Sequence, residues 1–373
     1  MPRLSQTATI EAPAIQFVAS PTLDMMNAMY FTGYVTQSEG VEGWPVALRR
    51  EMAPDLLGEL DFMLDYPAGD PGLLGTLCDD LFVHPEAWRD VDALASYVER
   101  MPDGVGEIDR APGIQGLIYE AMFRYPDDLD RAEYERMPHR EAIEQRLRTF
   151  DDRDADAIML HYDRPAEIRE RIVGLIRRFY AEHYAKEIAH RLPALERSVA
   201  RHRGEPMSNA EAVARRVTGR EKSCLEAGCA GPYKRHVFAP SMDMGVYNSC
   251  AIVGGVHGLF YSLEPEFMGT PPDEAEETRL ARIYRALSDE QRLRILRMLR
   301  EREMYAQEIV ERTGLHQSVV SRHLSFMKAV GLVLWRRQDN MKFFSLNPAM
   351  RAELSRTLEL FEPATASDGR SAR

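Results

Sequence analysis

The order of periodic segments between Glu276 and Phe361 constrains this chain more than any other feature. Glu276 to Leu287 reads as an amphipathic helix, and Ser288 with Gln291 three residues on has the form of a capping box opening a second. Leu293, Ile295, Leu296 and Leu299 supply the apolar positions of that second helix, with Arg292, Arg294, Arg297 and Arg300 spread around the rest. Ala306 to Thr313 forms a third, short helix, and Gly314 suits its stop. Gln317 to Val330 forms a fourth. Its Val320, Leu324 and Met327, four and three residues apart, share a buried face, which turns Gln317, Ser318, Ser321, Arg322 and Ser325 outward. Leu332 to Arg337, the polar turn Gln338-Asp339-Asn340 and Met341 to Leu346 alternate as a β-hairpin does. Met350 to Phe361 is a closing helix with Leu354, Leu358 and Phe361 on one face.

A helix that presents small polar groups and an arginine can enter a major groove without clash and hydrogen-bond base edges. Gln317, Ser318, Ser321 and Arg322 are therefore expected to face double-stranded DNA. The hairpin beside it carries Arg336, Arg337 and Lys342, a cationic wing suited to phosphates. Leu354, Leu358 and Phe361 would be left exposed on a short helix, so the first and closing helices are expected to pair in a homodimer. A two-fold dimer implies a palindromic operator. The net charge of −12 opposes this reading only as an average, because residues 279 to 350 hold 14 Lys/Arg against 7 Asp/Glu. That local +7 leaves −19 for the remainder, the asymmetry of a DNA-reading module joined to an acidic body.

Three pieces carry a resemblance to the ArsR family of winged-helix repressors: ALSDEQRLRILRML (Ala286 to Leu299), HQSVVSRHLSFMKAVGLV (His316 to Val333) and RRQDNMKFFSL (Arg336 to Leu346). The resemblance implies a winged helix-turn-helix and a regulator of transcription, and it runs from about Leu280 to Asn347. Two departures are visible. Asp289-Glu290-Gln291-Arg292 stands for the family's Asp-Pro-Thr-Arg, and His316 stands where a Ser precedes the readout helix, a poorer N-cap. The family's cysteine metal site has no counterpart in Glu301 to Thr313, and its second site has none on the closing helix, where Glu353 and Glu359 have no His beside them.

Residues 20 to 218 read mainly as helix. Pro45 to Tyr66, Val91 to Met101, Gln115 to Tyr125 and Pro165 to about Arg191 show helical periods, and Pro193 is expected to kink or end the last. Glu221 to Pro265 changes character, with two short strands at Arg235 to Ala239 and Gly258 to Leu263. The stretch from His236 to Pro265 loosely resembles the end of the N-terminal region of larger ArsR-like regulators. The expected fold is mainly α. A helical sensor or oligomerisation domain covers 1–219, a connector containing a β-hairpin covers 220–268, the winged helix-turn-helix covers 275–362, and a disordered tail covers 363–373.

Cys224, Cys229 and Cys250 with His236 have the donor types of a tetrahedral zinc site, but only one short-spaced pair is present. Buried free thiols and a redox switch are the alternatives, and no metal or cofactor is expected. The aromatics Phe179, Tyr180, Tyr184 and Tyr261 are packed core or the lining of an effector pocket. No apolar run reaches the ~18 residues that span a bilayer, and the N-terminus lacks a signal-peptide core, so a cytoplasmic protein is expected. No hydrolase elbow, phosphate loop, dinucleotide fingerprint or HExxH helix is present, so an enzyme is not expected. The expected function is a homodimeric repressor gated through the N-terminal domain. The alternatives are an architectural DNA-binding protein without a ligand and an enzyme joined to a DNA reader.

Overall fold

Prolines set many of the boundaries in the computed structural model, which describes residues 14–357 except 37, 65–71, 108–110, 125–130, 149–151, 206–208, 220–232 and 339–340. The single helix expected over Pro45 to Tyr66 is two, Trp44–Glu51 and Pro54–Leu64. A proline disfavours helical backbone in the residue before it, and Met52 is already extended at ψ 142°. Pro193 does not end a helix. It sits inside a continuous helix, Ile188–Arg203, which follows Pro165–Phe179 through one wide turn, Tyr180–Tyr184. That turn closes with Ala185 donating to the carbonyl five residues back, on Tyr180, at 2.8 Å.

The chain divides into two compact units after Pro272. The first is mainly helical around a four-stranded sheet. In spatial order its strands are Ala14–Phe17, Arg235–Ser241, Val256–Ser262 and Ser249–Val253. The expected connector over 220–268 is therefore no connector. Its two anticipated strands lie side by side and parallel, as His236 opposite His257 and Phe238 opposite Leu259 show. The hairpin is formed instead by Ser249–Val253 and Val256–Ser262, turning at Gly254-Gly255 with φ of 56° and 76°. Two positive φ values match the turn twist that hairpins favour and suit glycine. Ala14–Phe17, about 220 residues away in sequence, completes the sheet by pairing parallel with Arg235–Phe238.

Alternation along the strands feeds two apolar layers. Val237, Ala239 and Phe260 join the core built on helices Pro21–Tyr34 and Gly72–Asp80. Phe238, Leu259 and Tyr261 face Val199 and Val213 on the other side. Each such large apolar side chain contributes roughly 1.5–3 kcal/mol when fully buried. Gly258 allows close approach, since a Cβ there would lie 2.2 Å from the Phe82 ring. Arg191, 2% exposed, bridges Asp24 (3.1 Å) and Asp243 (2.6 Å), so helix Ile188–Arg203 is tied to helix Pro21–Tyr34 and to the end of the sheet.

Of the aromatics considered for an effector pocket, Phe179, Tyr184 and Tyr261 are core, and Tyr180 is half-buried against it. Phe179 and Tyr184 are fully buried, with the Tyr184 hydroxyl donating to Asp24 at 2.7 Å. Tyr261 belongs to the other apolar layer, where its hydroxyl meets Ser198 at 3.1 Å. Phe179 and Tyr184 belong to one apolar layer and Tyr261 to the other. Cys224 and Cys229 lie outside the described residues, as does the tail. Cys250 is half-buried on the edge strand, and His236 Nδ1 meets His257 Nδ1 at 3.2 Å. Among the described residues no group of three or more His, Cys, Asp or Glu side chains is placed to hold a metal, and no helix is long and apolar enough to cross a membrane.

The second unit runs Pro272–Leu287, Glu290–Glu301, Ala306–Thr313, Gln317–Ala329, the hairpin of Val333–Gln338 and Met341–Leu346, and Ala349–Thr357. Its first helix begins four residues before the expected Glu276, because Pro272 suits a first helical turn. A short strand not anticipated from the sequence, Met304–Tyr305, pairs with Met341–Leu346 and makes the wing three-stranded. Ile283, Ile295, Leu299, Met304, Ile309, Leu324, Met327 and Phe344 fill the interior. The architecture is a winged helix-turn-helix.

Candidate nucleic-acid interface

The readout surface depends on how the two preceding helices end. Asp289, not Ser288, caps helix Glu290–Glu301, its carboxylate accepting from the Arg292 amide at 2.9 Å. Ser288 instead closes the end of the first helix, its hydroxyl donating to the Arg285 carbonyl at 2.8 Å. An aspartate one residue later takes the cap because its charge also complements the positive helix start. Arg292 departs from the outward position that periodicity gave it. It is 3% exposed, donates from Nε to Ala286 O (2.8 Å) and from Nη2 to Arg285 O (2.9 Å), and lies 5.1 Å from the Phe326 ring centre. The carbonyls left open at the end of the first helix are what draw it inward. Arg294 does similar work at longer range, donating to the Thr313 and Arg312 carbonyls at 3.3 Å.

Gly314, at φ 71°, ends helix Ala306–Thr313 in the left-handed conformation that glycine adopts without strain. His316 then caps the readout helix Gln317–Ala329 after all. Its Nδ1 accepts weakly from the Ser318 amide at 3.4 Å and pairs with the Ser318 hydroxyl at 2.9 Å. Val320, Leu324, Phe326 and Met327 are buried, which fixes the rotation of the helix. Gln317, Ser318, Ser321, Arg322 and Ser325 are all exposed on the remaining face.

The wing pairs Val333–Gln338 with Met341–Leu346, setting Arg337 opposite Lys342. The turn at 339–340 and the side chain of Arg337 lie outside the described residues. Arg336 is engaged within the unit. Its Nε donates to Glu303 Oε2 at 2.8 Å, Nη1 donates to Gln338 Oε1 at 2.6 Å, and the guanidinium covers the Phe343 ring at 4.8 Å. Lys342 approaches the Trp335 ring at 6.0 Å, and Lys328 from the end of the readout helix approaches it at 5.4 Å. Glu303, Lys328 and Trp335 escaped sequence reasoning because each matters through a partner distant in sequence. Alternation along the wing does place Trp335 and Lys342 on one side.

Leu354 is half-buried, while Leu358 and Phe361 lie outside the described residues. Leu354 lines an apolar cleft of about 620 Å³ with Tyr284, Leu287, Leu296, Leu332, Leu346 and Met350. Tyr284 is 42% exposed although its hydroxyl bonds Thr357, and Arg279 pairs with Glu353, so the first and closing helices are locked at the rim of this cleft.

Residues 289–334 match the family model described as bacterial regulatory protein, arsR family. The chain is 31% identical over 87 residues to the transcriptional activator HlyU of Vibrio cholerae serotype O1, spanning 22% of this chain and 81% of that protein. It is 31% identical over 86 residues to the nodulation protein NolR of Rhizobium meliloti, spanning 23% of this chain and 70% of that one. A solved structure of HlyU from Vibrio cholerae aligns at 28% identity over 24% of this chain and 97% of its own, with a TM-score of 0.21.

Proposed function

Since this chain belongs, through its C-terminal domain, to the ArsR family of bacterial regulatory proteins, we propose that its DNA-binding winged helix-turn-helix acts as a homodimer governed by the N-terminal unit. The observation that carries the reading is the readout helix, whose four buried apolar residues leave Gln317, Ser318, Ser321, Arg322 and Ser325 exposed together. Hydroxyls and an amide adapt to base edges, while an arginine reads guanine bidentately or holds a phosphate. The dimer is supported by the cleft containing Leu287, Leu296 and Leu354, whose apolar wall a second copy would remove from water. A two-fold pair places two readout helices on inverted half-sites one helical turn or a multiple apart. Repression follows wherever such an operator overlaps a promoter.

The N-terminal unit is read as a regulatory body in the cytoplasm rather than a catalyst, with a small-molecule effector acting through it. A ligand that binds one arrangement of the protein better shifts the DNA-competent population by that difference in affinity alone. Its acidic balance disfavours direct contact with DNA. Genome-wide footprinting of the full chain, followed by mobility shifts on the strongest bound promoter, tests the whole reading. Arg322→Ala should cost roughly 1–3 kcal/mol, about 5- to 150-fold in operator affinity, if it reads a base. Unchanged affinity in a folded variant, or equal loss on unrelated DNA, removes Arg322 from base reading. Footprints spread evenly over the genome favour the architectural alternative.

A further inference from the structure

The N-terminal unit contains a group of polar atoms that its own packing leaves unsatisfied. Asp80 Oδ2, His84 Nε2 and Tyr97 Oη are buried and have no hydrogen-bond partner. Asp80 is wholly buried at the end of helix Gly72–Asp80, and His84 and Tyr97 are each 8% exposed. The His84 and Tyr97 rings lie 4.5 Å apart, and the Asp80 charge acts on both. Their hydrogen-bonding roles can be assigned. His84 Nδ1 lies 3.1 Å from Glu86 Oε1, and an ionised carboxylate only accepts. A proton therefore sits on Nδ1, and in the neutral ring Nε2 is an acceptor. Asp80 Oδ1 accepts from Arg124 at 2.8 Å, which leaves Oδ2 as a second acceptor. Burial, with Asp80 and Glu86 nearby, keeps the Tyr97 phenol protonated, so its hydroxyl is a donor.

His84 and Tyr97 also line a cleft of about 210 Å³, completed by Glu86, Arg100 and the apolar Met101, Pro102 and Pro112. That is below the ~300 Å³ at which drug-sized ligand pockets begin, so its occupant has few heavy atoms. Arg100 is exposed and supplies a fixed positive charge among the lining residues. The lining thus offers the His84 ring, the Tyr97 hydroxyl as a donor and the Arg100 guanidinium, while Asp80 is buried outside the lining. Buried polar groups are almost always paired, so two lining residues with unsatisfied buried atoms, His84 and Tyr97, mark a place that a small polar molecule completes.

We propose that this cleft binds a small carboxylic acid bearing an amine or hydroxyl. The ligand's N–H or O–H donates toward His84, its oxygen accepts from Tyr97, and its carboxylate pairs with Arg100. That such binding controls DNA affinity rests on the regulatory reading of the N-terminal unit given above. Isothermal titration of the full chain with glycine, L-serine, glycolate and L-lactate tests the site. Acetate and ethylamine, each lacking one end, are the controls. At least one of the four acids should bind, with both controls at least tenfold weaker. Tyr97→Phe and Arg100→Gln should each weaken that binding tenfold or more. Without ligand, Tyr97→Phe should melt no lower than the unaltered protein, because it deletes a hydroxyl that nothing in the protein satisfies. The proposal is overturned if none of the four binds, or if either variant retains the affinity. A lower melting temperature for Tyr97→Phe also overturns it, since the hydroxyl is then held by a structural water. A mobility shift with the bound acid separates the two readings: binding without change in DNA affinity leaves the site standing and removes its regulatory role.

Discussion

Replacing Arg292 by Leu tests whether the DNA reader is held in place from beneath. The substitution keeps most of the buried aliphatic stem and deletes the guanidinium that bonds the Ala286 and Arg285 carbonyls and lies against Phe326. A hydrogen bond to a charged group contributes about 1.5–3 kcal/mol net, so two contribute about 3–6. The contact with Phe326 adds about 1–2 in a desolvated setting. Against this stands the cost of burying a cation at 3% exposure, several kcal/mol that leucine avoids. The balance leaves a loss of about 2–4 kcal/mol, because two open carbonyls at a helix end must find water. Arg292→Lys, which keeps the charge but not the fork, should lose about half as much. Hydrogen exchange on the full chain reads the effect locally. Amides of Leu324 to Met327 should exchange roughly 30- to 900-fold faster, while those around Ile172 in the other unit stay unchanged. Unaltered protection, or a leucine variant more stable than the parent, would refute the reasoning and show that the desolvation cost outweighs the bonds.

The Glu303–Arg336 pair gives a sharper test of the wing, because a phosphate bound by Arg336 would have to compete with Glu303 for the guanidinium. Glu303→Gln should strengthen DNA binding and Arg336→Ala should weaken it on all sequences. Neutralising one phosphate more or one fewer changes the salt slope by about 0.9, or about 3.5-fold between 50 and 200 mM salt; identical slopes in both variants would make the pair purely structural. In the N-terminal unit, burial holds His236 and His257 at about 4. Both lie below the unfolded value of about 6.5, so the stability from keeping them neutral is full above that pH and is lost as pH falls toward 4. Asp80 and Asp243, pushed up to about 6 chiefly by burial, run the other way, their contribution being full below about pH 4 and lost as pH rises through 6. Removing one imidazole with His257→Leu should therefore improve stability relative to the parent by about 2 kcal/mol between pH 7 and 4.5, read from urea midpoints; a constant difference across that range would show that His257 does not titrate as its burial requires.

What the sequence discloses about the two units differs for a physical reason. In the C-terminal unit the decisive interactions are local. Gly314 stops one helix, and Val320, Leu324 and Met327 at steps of four and three turn Arg322 and its neighbours outward in a single helix. These can be read without knowing what the helix packs against. The errors there come from contacts that cross between elements. Arg292 bends inward to the end of the preceding helix, Glu303 takes Arg336, and Met304–Tyr305 becomes a strand only because Met341–Leu346 lies beside it.

In the N-terminal unit nearly everything that matters crosses between elements. Ala14–Phe17 is too short to show alternation, and its partner is Arg235–Phe238. The parallel pairing of Arg235–Ser241 with Val256–Ser262 looks, in sequence, like two arms of a hairpin until the intervening Ser249–Val253 claims the turn. The same holds for the polar atoms. Asp24 finds Tyr184, Arg191 and Ser241 over separations of 160 residues and more, and is satisfied. Asp80, His84 and Tyr97 are close in sequence, yet the one unsatisfied atom that each carries is visible only when everything around them is in place. A satisfied buried carboxylate such as Asp24 is explained by the fold. The unsatisfied atoms beside the small cleft are not, and they are therefore the better guide to what the N-terminal unit binds.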